Sequence, residues 1–342
     1  MEQNYYDIFA GTYTVKTGST GIYRIRLDSA GMVENVGVAG YANNPSYLCL
    51  NNGCSTMYAL SECEKGAAVT TYHIQGQQCK VVSQVGFASD GLCHIYYSEK
   101  NDFVLASCYL SGDYYNLRAS DCSVLSHIIH TPQKRAVPHA HCAITDHSGS
   151  FVLCADLGLD TISSYAITGG ELADTPACVY SCEKSSGPRQ LVFHPRMNML
   201  YAVNELNSTV SLFLFNPSSG KLKLLQTISA SDSAYLGENY PAGITTTSDG
   251  SFLYVSNRGA DTIAVFRLLP SGLLIRAGEF SCGGRYPRHV LLTSDEKFLI
   301  ISNQRSNNIV VCPVHSIDGS IGLPVEAVDI PAPSCTIEYI IR

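Results

Sequence analysis

The chain has 342 residues, 45% hydrophobic and 15% charged, with a formal net charge of −7 and no tryptophan. That apolar content is ample for a core, and an acidic chain without a basic block is not expected to bind nucleic acid. The longest apolar runs have strand length, and the start MEQNYYDIF has neither the basic nor the apolar stretch of a signal peptide, so neither a membrane span nor secretion is expected.

From the N-terminus, YYDIFAGTYT and GIYRIRL are β-rich runs with turns at Lys16–Thr20 and Asp28–Gly31. Residues 41–90, 91–137, 138–186, 187–240, 241–286 and 287–332 then repeat one pattern. The clearest copy is GPRQLVFHPRMNMLYAVNELNSTVSLFLF from Gly187: apolar run, turn, apolar run, polar tip, apolar run, followed by NPSSG and KLKLLQTI. Four short β-forming runs bounded by turn residues predict a four-stranded antiparallel sheet. In the second unit the polar tip Ser111-Gly-Asp-Tyr-Tyr-Asn predicts a loop over one face. The fourth ends in SASDSAYLGENYP, a candidate lid or rim.

First strands lead off at Ser46, Cys93, His141, Arg189, Ala242, Arg288 and Ser334. Seven leads spaced about 46 to 53 residues apart, with four strands per unit, predict an all-β, seven-bladed β-propeller. It forms one domain over residues 1–342. The last lead, in SCTIEYIIR, supplies a single strand, and the first 40 residues lack such a strand. The C-terminal strand is therefore expected to complete the N-terminal blade and close the ring. The 14 cysteines form no CxxC pair and many fall inside strand runs. They read as reduced core thiols of a cytoplasmic protein.

Connectivity predicts where a site lies. The loop into each innermost strand and the loop leaving the second strand share one face. Lead residues therefore meet the second-strand tips Tyr13, Glu62, Tyr109, Leu157, Glu205, Arg258 and Gln304 at the mouth of the central channel. Asp156, Asn204, Asn257 and Asn303 lie one position before four of those tips. A turn near Arg196–Met197 pairs Arg189 with Asn204 or Glu205 across the ladder. The mouth gathers His141, Arg189, Glu205, Arg258 and Arg288. Three guanidinium forks in an acidic chain point to a small anionic ligand, since the fork matches carboxylate and phosphate oxygens.

The motifs GPRQLVFHP, NELNSTVSLF, PHAH followed by SGSFVLCADLG, SNRGADTIAVF and PRHVLLTSDEKFLIISNQRSNNIVV closely resemble the seven-bladed propeller lactonases. That family includes the propeller-type 6-phosphogluconolactonases and the eukaryotic carboxymuconate-lactonising enzymes. The resemblance covers nearly the whole chain and is strongest over residues 138–312. It implies a catalytic set of His141, Arg189, Glu205 and Arg258. From the predicted mouth, His139, Asn204, Asn257, Arg288 and Gln304 are substrate-binding candidates. Gln190 departs from the bacterial phosphogluconolactonases, which often carry His after GPR. The implied activity is hydrolysis of a sugar-acid lactone, with 6-phosphogluconolactone first.

The residue chemistry suits that activity. Either Arg189 or Arg258 can hold an oxyanion, and Glu205 or His141 can take a proton from water. Glu205 beside two arginines is a weakened base. No cofactor and no metal are expected, because only Glu62, Asp156 and Glu205 could build a calcium cage and His139 and His141 lack further zinc ligands. The expected partner is a small anionic lactone bound to a monomer or weak homo-oligomer. Two other readings use the same residues: a lactonising or isomerising enzyme acting on an unsaturated dicarboxylate, and a non-enzymatic binding scaffold.

Overall fold

A computed structural model describes residues 5–76, 78–132 and 136–340. The first four residues of MEQNYYDIF and the last two of SCTIEYIIR lie outside the described residues. The rest forms seven antiparallel sheets in chain order. Six have four strands each. The C-terminal strand Pro333–Tyr339 is the innermost strand of the N-terminal blade and pairs antiparallel with Tyr5–Thr12. The ring closes as the sequence predicts.

The core is a ring of wedges. Each of seven apolar clusters draws its side chains from two neighbouring blades. Second strands are therefore covered on both faces. Phe151–Asp156, Phe252–Arg258 and Phe298–Asn303 are buried at every position. This is why they read as continuous apolar runs rather than as an alternation. The rim strand Lys221–Ser229, with one face in water, has no fully buried residue.

Two expectations change. The tip expected as a loop in the second blade is the strand Asp113–Arg118. Its tyrosines are strong strand formers, and Tyr114 and Asp113 find partners inside: the Tyr114 hydroxyl donates to Ala155 O at 2.6 Å, and Ser89 Oγ donates to Asp113. In the third blade the outer strand is broken into Glu171–Leu172 and Cys178–Ser181, both paired with Thr161–Thr168. Pro176 sits in the gap, where a ladder donor would be missing. All 14 cysteines are free thiols.

One device repeats on the site face. The tip residue's N–H donates to the carbonyl two positions before the lead residue: Tyr13 to Ala332, Glu62 to Asn44, Tyr109 to Gly91, Leu157 to His139, Glu205 to Gly187 and Gln304 to Tyr286. In the fifth blade the matching pair, Arg258 and Tyr240, sits in the ladder itself. Leads and tips therefore meet blade for blade as aligned in the sequence.

Candidate active site

The lead residues are aimed by β-bulges. The ladder pairs Pro188 with Asn204 and Gln190 with Val203, which leaves Arg189 as the extra residue. This corrects the direct pairing expected for Arg189. The same skip leaves out His141, Arg288 and Cys93. A bulge frees its residue from ladder alternation and re-aims the side chain. The GPR motif thus has a local cause. Gly187 sits at φ +61°, where a Cβ would come within 2.5 Å of Leu206, and Pro188 opens the strand with its ring-fixed φ.

Arg189, Arg258 and Glu205 form one unit. Arg189 Nε lies 2.8 Å and Arg258 Nη2 2.6 Å from the same oxygen, Glu205 Oε2. Both arginines are otherwise tied to backbone: Arg189 Nη1 donates to Ala242 O and Arg258 Nε to Tyr240 O, each at 2.9 Å. Their side chains are 3% and 4% exposed, whereas Glu205 is 19% exposed. Both guanidinium groups take Oε2, and Glu205 Oε1 makes no hydrogen bond among the described residues. Burial pushes the Glu205 pKa up, but Arg189 and Arg258 outweigh it and hold the carboxyl below its ordinary range. Burial, followed by Arg258, lowers Arg189 to about 10, so both partners are charged at neutral pH.

His141 is buried, and burial, followed by Arg189 and Arg288, holds its pKa well below the ordinary value. It is a neutral imidazole at pH 7. Its Nδ1 is buried and has no hydrogen-bond partner among the described residues. Tyr109 packs edge-on against His141, centroids 5.8 Å apart, and stacks on His139 at 4.3 Å. His139 is thereby fixed at the rim, with its Nδ1 also at hydrogen-bonding distance, 2.9 Å, from Tyr109 O.

Other candidates separate. Arg288 reaches the mouth, donating to the Tyr13 hydroxyl at 2.5 Å; Tyr13 in turn donates to Glu62 Oε2 at 2.7 Å, and Ser46 Oγ donates to the same oxygen. Arg288 is thus engaged in a relay that couples positions 275 and 49 residues apart. Gln304 Oε1 is buried without a hydrogen-bond partner among the described residues. Asn204 and Asn257 are corrections: their amides serve the blade interior rather than the mouth. Asn204 Nδ2 donates to Thr209 and Ser211, each at 2.8 Å, and Asn257 Nδ2 donates to Ala230 O at 2.7 Å. Asp156 also turns inward, accepting from the backbone of His139 and lying 2.7 Å from His130 Nδ1. Among the described residues, no group of three or more His, Cys, Asp or Glu side chains is placed to hold a metal ion.

A family model described as lactonase, 7-bladed beta-propeller, matches residues 7–337. The chain is 30% identical to the 6-phosphogluconolactonase of Bacillus subtilis (strain 168) over 271 residues, covering 76% of this chain and 77% of that one. A crystal structure of a Lactobacillus plantarum protein superposes with a TM-score of 0.90 at 26% identity, covering 98% of this chain and 99% of that one. The periplasmic gluconolactonase of Pseudomonas aeruginosa superposes with the same score at 24% identity, covering 99% and 100%, a likeness of fold.

Proposed function

Because the chain belongs to the seven-bladed β-propeller lactonases, we propose that its channel mouth hydrolyses a sugar-acid lactone. The first candidate is 6-phosphogluconolactone, the substrate named for the Bacillus relative, opened to 6-phosphogluconate. The observation that carries this reading is one carboxylate oxygen clamped between two buried guanidinium groups beside a neutral imidazole.

Held ionised by two arginines, Glu205 is a weak base but a strong acceptor, so Oε1 orients a water. The neutral His141 Nε2 takes that water's proton as its oxygen bonds to the lactone carbonyl carbon. The carbonyl oxygen becomes an oxyanion, stabilised by Arg189 and Arg258. Collapse breaks the bond between that carbon and the ring oxygen. The ring oxygen leaves with the proton from His141, giving the open hydroxy acid. In this reading the protein's own side chains activate the water.

The test is hydrolysis of freshly made 6-phosphogluconolactone and of unphosphorylated gluconolactone in EDTA, with the spontaneous rate subtracted. Turnover of the phosphorylated lactone above background is expected. No turnover of either overturns the reading.

A further inference from the structure

Beside the catalytic unit lies a cavity of about 170 Å³, lined among others by Tyr13, Glu62, Glu64, Tyr109 and Leu110. It belongs to the closing, first and second blades. Tyr109 is also the ring that packs against His141, so the cavity and the site share a wall. Its charged side chains are the carboxylates Glu62 and Glu64, beside the rings of Tyr13 and Tyr109. Glu62 Oε2 is already filled by Tyr13 and Ser46, which leaves Oε1 for a ligand, and Glu64 is exposed. Carboxylates accept hydrogen bonds and do not donate them, so this cavity suits hydroxyl groups and C–H faces and repels a phosphate.

Next to Arg258 the charge is positive. Arg258 and Arg305 both lie over the ring of Tyr286, with guanidinium carbons 5.2 and 3.8 Å from its centroid. Arg305 is exposed and makes no ion pair or side-chain hydrogen bond among the described residues. Arg258 is held at the catalytic unit by Glu205 and Tyr240 O, whereas the Arg305 fork is available to the substrate's anionic arm. The third cation, Arg288, is engaged by Tyr13.

Resting on the lactonase reading, we propose that these flanking groups orient the substrate. The hydroxyl-bearing edge of the sugar lactone enters the Tyr13–Glu62–Glu64–Tyr109 cavity, and its phosphoryl arm lies on Arg305. The geometry of a six-membered sugar lactone fits this division. Its carbonyl carbon is flanked on one side by the hydroxylated carbons and on the other by the ring oxygen, whose next carbon bears the arm. With the carbonyl at His141 and Glu205, the two ends point to opposite flanks.

The experiment measures kcat/KM of wild type, Arg305→Gln, Glu62→Gln and the exposed variant Glu64→Lys on three lactones: 6-phosphogluconolactone, glucono-1,5-lactone and the hydroxyl-free δ-valerolactone. Arg305→Gln is expected to lower the preference for the phosphorylated over the unphosphorylated sugar about tenfold, as for one lost charge-assisted hydrogen bond. Glu62→Gln and Glu64→Lys are expected to lower the preference for glucono-1,5-lactone over δ-valerolactone by a similar factor of about ten. Such ratios cancel any loss of folded enzyme. Unchanged ratios, or ratios that move with the roles exchanged, overturn the orientation and leave the lactonase reading standing. Wild type inert on all three lactones overturns both.

Discussion

Glu205→Gln preserves shape and removes the one negative charge shared by Arg189 and Arg258. Two guanidinium groups, 3% and 4% exposed, then face each other without a counter-ion. Removing one partner of a buried ion pair costs about 3–5 kcal/mol, and the 19% exposure of Glu205 places this case near 3. With unfolding entropy of about 2.1 cal/mol/K per residue, 3 kcal/mol in a chain of this length lowers Tm by roughly 4 °C. The folded pKa of Glu205 is depressed below its ordinary 4.5. Its charge therefore stabilises the fold fully above about 4.5, and that contribution is lost as pH falls through the folded value. Thermal unfolding at pH 7.5 should show the deficit, and wild type and variant should converge in acid. Turnover should fall by about 10²–10⁴, the usual worth of a positioned acid–base group. A variant within about 0.5 kcal/mol of wild type, the ordinary range for a surface substitution, and with near-wild-type turnover, would refute both the clamp and the role in water activation.

Further outcomes are expected. Arg189→Ala should abolish lactone turnover while circular dichroism and solubility stay those of wild type; loss of folding would instead make Arg189 a structural clamp to Ala242. Burial, then Arg189, lowers His94 to about 3 and His289 to about 4, and His141 is held well below its ordinary value. The unfolded chain takes up protons at these positions below about pH 6.5 while the fold does not. Stability measured by urea should thus fall as pH drops from 6.5 towards 4, less steeply in His289→Gln; an equal slope in both would dismiss the linkage. Asn257→Ala should cost about 1–3 kcal/mol in urea unfolding through its orphaned interior partners; a loss of turnover without loss of stability would return it to the mouth. Ending the chain after Ala332 removes the innermost strand of the closing blade, with buried Ser334, Cys335 and Thr336. Calorimetry should then show no cooperative transition near that of the full chain.

The blade repeat, the closing strand and the ring of lead and tip residues were legible in the amino-acid sequence. Strand periodicity and turn chemistry are local, and a propeller repeats one local unit. The sequence therefore also placed His141, Arg189, Glu205, Arg258 and Arg288 at one mouth. What it could not show was direction. The bulges that lift Arg189, His141 and Arg288 out of the ladder emerge only on folding, because an extra residue in a strand leaves no mark in an apolar run. Only packing turned Asn204 and Asn257 inward, because an amide follows whichever donors and acceptors lie near it. The polar DYYN run, read as a loop, became a strand because Ser89 and the neighbouring blade supply partners for Asp113 and Tyr114. Arg288 was claimed by Tyr13, 275 residues away. That pairing exists only once the ring has closed and brought the last full blade beside the first strands of the chain.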